Sequence, residues 1–168
     1  MSECLDPCLF CAERVEELMT PSPEVIHPEA TIREAMKVMK TRRFRHLPVV
    51  DQDGGLVGLV SQRDILKLAW PTRDQAEFSR LNAGTPVSDI MARPVDTIQP
   101  TAHISTAARY ILLKKRDCLP VVNDLGHLVG ILTAVDFLRE VIRHDVPQNE
   151  EARPQDPATR SEFTQSSG

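Results

Sequence analysis

The sequence predicts an α/β (α+β) fold in which two β-α-β-β-α repeats pack as a pseudo-two-fold pair. Three observations carry this. Shifted by 72 residues, the chain lies on itself without a gap, and 16 of the 52 positions from Met19 to Trp70 are identical to their counterparts. Within each copy, short apolar β-rich runs alternate with stretches whose apolar residues recur at helical spacing. A copy of about 55 residues buries too little surface to fold well alone, so two copies are expected to share a core.

The elements follow in order. Glu24-Val25-Ile26 reads as a short strand closed by Pro28. Thr31-Ile-Arg-Glu34 is a capping-box pattern that starts a helix, with Ile32, Ala35, Met36 and Met39 on one apolar face. Leu47–Val50 and Leu56–Val60 read as strands joined at the turn signal Asp53-Gly54-Gly55. Ser61 to Trp70 reads as a second helix. The second copy repeats the pattern, with a strand over Val95–Ile98, a helix over Ile104–Leu113, strands over Leu119–Val122 and Leu128–Leu132, and a helix over Thr133–Arg143.

These boundaries divide the chain into a Cys-containing segment (1–14), a first repeat (15–70), a linker (71–85), a second repeat (86–143) and a polar tail (144–168). The linker is polar with Pro and Gly, and has room for a helical turn at Gln75–Leu81. The tail is polar and Pro-containing, which predicts disorder. The composition, 41% hydrophobic and 26% charged, is that of an ordinary globular chain, and 4% aromatic residues imply an aliphatic core. A net charge of −4 gives no pull toward nucleic acid or an anionic membrane. No apolar run approaches the ~20 residues of a membrane span, and the N-terminus lacks a signal-peptide pattern, so a cytoplasmic location is expected.

The paired features resemble those of the CBS (cystathionine-β-synthase-type) domain family over roughly residues 13–143. The resemblance rests on Leu18-Met19 and Ile90-Met91, on the two Leu-Pro-Val-Val runs, and on a Gly-apolar-apolar-Ser/Thr-x-x-Asp element. That element appears as Gly58 to Asp64 and again as Gly130 to Asp136. The resemblance implies a tandem pair folded as one module, often a homodimer. Such a module binds AMP, ADP, ATP or S-adenosylmethionine, regulates another protein and does no chemistry itself.

A ribonucleotide needs a carboxylate for its ribose diol, donors at a helix start for its phosphate, and an apolar slot for its base. Asp64 and Asp136 are the candidate ribose acids, Ser61 and Thr133 the candidate phosphate hydroxyls, and Leu59 and Ile131 the candidate base-lining residues. The resemblance implies that each site joins this element of one repeat to the first strand and pre-Leu-Pro residues of the other. The Asp136 site would then include Thr20, Glu24, Arg45 and His46. The Asp64 site would include Arg93, Asp96, Asp117 and Cys118, with its own Arg63. Because Asp117 stands where the first repeat has Arg45, the Asp136 site is expected to hold phosphate more tightly. The plain alternative is that each Ser/Thr-x-x-Asp element only caps its helix. Arg42 to His46 and Lys114 to Arg116 follow the first helix of each copy, either as solvated helix ends or as phosphate ligands.

Cys4, Cys8 and Cys11 form a second candidate site, because thiolates at this spacing could coordinate zinc or an iron–sulfur cluster. They support a rival reading, a metal- or redox-responsive interaction protein with the repeats as a dimerising scaffold. No catalytic pattern is present: the five histidines make no metal-ligand or nucleophile-elbow spacing. No cofactor is required by any motif, and the chain reads as non-enzymatic.

Overall fold

The computed structural model describes residues 12–69 and 75–145. A short helix α1 (Val15–Leu18) leads into a two-residue strand β1 (Thr20–Pro21). The first repeat continues with helix α2 (Ile32–Arg42), hairpin β2 (His46–Val50) and β3 (Leu56–Ser61), and helix α3 (Gln62–Ala69). Helix α4 (Gln75–Gly84) and a 3-10 turn (Val87–Asp89) lead to α5 (Ile104–Lys114), hairpin β4 (Cys118–Val122) and β5 (Leu128–Thr133), and α6 (Ala134–Asp145).

Local chemistry explains the helix ends. Thr31 and Glu34 make the full reciprocal capping box at α2, while His103 at the matching place caps α5 by accepting from the Ser105 N–H through its ring. Both helices stop in a left-handed residue, Arg43 with φ 58° and Lys115 with φ 51°.

Three sequence expectations are corrected. Glu24–Ile26 and Val95–Ile98 do not form strands: only Ile26 and Ile98 make single parallel bridges, to Val49 and Val121. Prolines on both sides leave too few consecutive donors for a ladder. The linker holds a ten-residue helix rather than a turn, because Phe78 packs on the first core and Asn82 is buried. Helix α6 runs to Asp145, past the start expected for the tail, and the rest of the tail, like Trp70, lies outside the described residues.

The repeats exchange their leading segments. Val87 and Met91, which lead the second repeat, bury themselves in the first core beside Ile32, Met39 and Leu47. Val15, with Leu18 and Met19 packed around it, joins the second core beside Leu119, Val121 and Leu132. Burying an aliphatic side chain contributes about 1.5–3 kcal/mol, so each core depends on residues supplied by the other half. Backbone pairing follows the same exchange. β1 pairs with β5, Thr20 opposite Ile131, and Ala92 bridges Leu59 at the equivalent place. The two hairpin turns meet at the bridge Gly55–His127, two residues related by the offset, so the pseudo-two-fold axis passes there. Among the described residues, no helix is long and apolar enough to cross a membrane.

Candidate functional site

Each Ser/Thr-x-x-Asp element sits where a strand turns into a helix, β3 into α3 and β5 into α6. Asp64 Oδ2 accepts from the Ser61 N–H at 3.1 Å and from its hydroxyl at 2.6 Å, and Oδ1 takes Lys67 Nζ at 3.1 Å. Asp136 Oδ2 accepts from the Thr133 N–H and hydroxyl, both at 2.7 Å, and Oδ1 takes Arg139 Nη1 at 3.3 Å. At Ser61–Asp64 the box is reciprocal, since the Asp64 N–H also donates to the Ser61 hydroxyl at 3.3 Å, while at Thr133–Asp136 the carboxylate half is present. Capping uses one oxygen of each carboxylate and leaves the other against an exposed cation. An ionised carboxylate has about four acceptor sites, so capping leaves capacity for a further donor. Ser61 and Thr133, the expected phosphate hydroxyls, each lie within hydrogen-bond distance of the acid three residues on, at 2.6 and 2.7 Å.

The electrostatics differ between the halves. Burial of Asp64 raises its carboxyl, but the bonds from the Ser61 hydroxyl, Lys67 and the Ser61 N–H outweigh this and leave it below the ordinary carboxylate range. His46 is opposite Ser61 in the β2–β3 pairing. Its pKa falls because the ring is largely buried; the charges of Asp117 and Asp64 oppose the fall, and those of Arg63 and Arg45 add to it. Asp117 reaches across from the second repeat to Arg63 Nη2 at 3.3 Å and His46 Nε2 at 3.9 Å. At the position matching His46 sits Cys118, a buried free thiol opposite Thr133, which burial and then Asp117 push up to about 12.

The remaining expected site residues divide into three groups. Thr20, Ile131 and Leu59 line the exchanged pairings beside the two elements. Glu24 and Asp96 are held by ion pairs to Arg42 at 2.9 Å and Arg116 at 2.7 Å, so the basic runs after the helices serve local pairing in part. Arg45 is exposed and makes no ion pair among the described residues, and Arg93 donates to the Ser88 carbonyl at 3.1 Å.

Two cavities stand out, of which the second borders a Ser/Thr-x-x-Asp element. One of about 300 Å³ lies between the halves, lined by Leu56 and Val57 from one repeat and Pro94, Val95, Thr97 and Val122 from the other. This apolar slot uses Val57 and Val95, which sequence reasoning did not single out. The identity of Val57 with Val129 at the repeat offset was the available signal. The second, of about 290 Å³, borders Asp136 and is lined by Glu17, Leu18, Arg139, Glu140 and Arg143. Cys4, Cys8 and Cys11 lie outside the described residues, and among the described residues no cluster of three metal-ligating side chains occurs.

Comparison with known proteins places this arrangement. The CBS domain family model matches residues 15–70 and 87–143. A homoserine O-acetyltransferase of Methanocorpusculum labreanum is 37% identical over 131 residues, covering 77% of this chain and 24% of that protein. The chain thus spans about a quarter of the length of the first curated relatives it matches. Among solved structures, CBSX2 in complex with AMP superposes with a TM-score of 0.68 at 30% identity, over 79% of this chain and 98% of that one. A CBS domain pair in complex with 5′-methylthioadenosine and S-adenosyl-L-methionine superposes with a TM-score of 0.64 at 29% identity, over 75% of this chain and 93% of that one.

Proposed function

This chain belongs to the CBS domain family, and from that premise we propose that it is a non-catalytic regulatory module. It binds an adenosine-containing ligand in clefts between its repeats, with AMP, ADP, ATP and S-adenosylmethionine as candidates. The observation that supports this most directly is the exchanged pairing. Thr20 opposite Ile131, and Ala92 opposite Leu59, each bring the leading segment of one repeat alongside the Ser/Thr-x-x-Asp element of the other. The ligands named for the similar structures, AMP in one and 5′-methylthioadenosine with S-adenosyl-L-methionine in the other, belong to the same chemical class.

In this reading the second carboxylate oxygen of Asp64 or Asp136 exchanges its Lys67 or Arg139 contact for a ribose hydroxyl. A hydrogen bond to a charged acceptor is worth about 1.5–3 kcal/mol. In this reading Arg45, exposed and without an ion pair among the described residues, supplies the cation for a phosphate at the Asp136 element. The module acts as a homodimer on an unidentified partner protein. Helix α6 exposes Val135, Leu138 and Ile142 along one stripe and α3 exposes Leu66 at the matching place, which suits a second copy. A ligand that contacts both repeats biases their relative orientation and thereby the surface offered to the partner.

A thermal-shift panel of AMP, ADP, ATP, S-adenosylmethionine and 5′-methylthioadenosine tests the reading. A ligand at 100 times its dissociation constant stabilises by about 2.7 kcal/mol, well within the range of the assay. An unmoved melting temperature with all five would sink it.

A further inference from the structure

At one position the repeat symmetry inverts charge: Arg45 of the first copy corresponds to Asp117 of the second. Asp117 Oδ2 lies 3.3 Å from Arg63 Nη2 and 3.9 Å from His46 Nε2, both in the other repeat. Arg63 directly precedes Asp64, and His46 is paired with Ser61, so the two donors flank the Ser61–Asp64 element. The other half has no such arrangement. There Val135 replaces Arg63, the buried Cys118 replaces His46, and Arg45 makes no ion pair among the described residues.

We propose that Asp117 is a built-in anion for the Asp64 cleft. It occupies Arg63, the cation that a ligand phosphate would use, so this cleft selects adenosine ligands lacking a 5′ phosphate, and a phosphate enters only by displacing Asp117. The ligand preference rests on the adenosine-binding reading above; the anion site does not. The charged groups around His46 are Asp117 and Asp64, and Arg63 and Arg45. A phosphate placed among them meets two carboxylates before it gains Arg63. Asp117 and Arg63 keep 56% and 72% of their side-chain surface exposed. A pair this exposed is weak enough for a strong anion to open, so Asp117 discriminates between ligands rather than sealing the cleft.

The test uses the Asp136→Ala protein, in which the Asp64 cleft is the one left intact, with and without Asp117→Asn. Calorimetry is expected to show adenosine binding about tenfold more tightly than AMP while Asp117 is present. Asp117→Asn should raise AMP affinity on the order of tenfold and leave adenosine affinity within about twofold. In parallel, inorganic phosphate is titrated against ligand-free protein while the His46 ring resonances are followed. They should stay still with Asp117, move saturably in Asp117→Asn, and stay still again when Arg63→Ala is added. An AMP affinity untouched by Asp117→Asn while adenosine binds overturns the selectivity. A His46 signal that ignores phosphate in Asp117→Asn overturns the anion site. Failure of adenosine and AMP to bind any of these variants removes nucleotide binding at the Asp64 cleft and the selectivity with it, binding to the unmutated protein decides the nucleotide reading separately, and the phosphate titration alone still decides the anion site.

Discussion

The Met91 side chain stands where a β-carbon on Gly58 would lie, and Met19 stands in the same relation to Gly130. Each methionine leads one repeat and packs on a strand of the other. The glycine that opens the Gly-apolar-apolar-Ser/Thr-x-x-Asp element is thus required by close approach of a side chain from the opposite half. Gly58→Ala should destabilise the protein by about 1–3 kcal/mol, as overpacking does. Gly130→Ala should cost more, because its β-carbon also meets the Thr20 carbonyl at 3.2 Å, and backbone yields less than a thioether. Urea unfolding of both variants checks the order, and Met91→Ala should cost less in the Gly58→Ala background than in the unmutated protein.

Capping and ligand binding can be separated at Asp136. Asp136→Ala removes the acceptor for the Thr133 N–H at 2.7 Å and should lower stability by about 0.5–2 kcal/mol with no ligand present. Under the proposed function it should also weaken the best ligand ten- to a hundredfold. Asp136→Asn keeps an acceptor for the cap, so it should recover stability more fully than affinity. Equal recovery of the two would reduce Asp136 to a cap.

The low-pH limb of stability should carry contributions from Asp64 and His46. Asp64 has a depressed folded pKa, so its contribution is present above the ordinary value of 3.8 and is lost as pH falls through the lower folded value. His46 is also depressed from 6.5, so the unfolded chain binds the extra proton first and stability declines as pH drops below that value. Asp117→Ala removes an attraction for the imidazolium and should lower the His46 pKa further. Ring-proton titration by NMR reads this directly, and an upward shift would contradict the geometry.

Cys118 should be inert in the folded protein. Its thiol is buried and pushed up to about 12, so almost no thiolate exists near neutral pH. Peptide mapping after iodoacetamide treatment of native protein should find Cys118 unlabelled, and labelling should appear only in denaturant.

The left-handed residues Arg43 and Lys115 end α2 and α5 where glycine is favoured. Arg43→Gly and Lys115→Gly should each raise stability by about 0.5–1 kcal/mol, the relief of left-handed strain exceeding the glycine entropy cost. Thermal unfolding measures both, and a drop at either position would show that the cation itself matters more to the helix end.

Much of this was legible in the sequence because duplication makes weak patterns speak twice. The capping box at Thr31, the two hairpins and the helices after Ser61 and Thr133 follow from local spacing, and the structure keeps them. What local spacing could not reveal was partnership between halves. The segments that look like short strands, Glu24–Ile26 and Val95–Ile98, keep single bridges within their own repeats, whereas Thr20 and Ala92 just before them pair with Ile131 and Leu59 of the other repeat. The contacts of Asp117 with Arg63 and His46 join residues far apart in the chain, so no periodicity could predict them.

The exchange of Val15 and Met19 for Val87 and Met91 has a consequence for how such a molecule can be cut or built. A single half, released by proteolysis or expressed separately, would carry an arm with nothing to clasp and a hydrophobic floor with nothing to roof it. Two identical halves in solution would remedy both defects by trading arms. The tandem chain is in effect that embrace written into one continuous polypeptide, and its halves should be separable only as a reassembling pair.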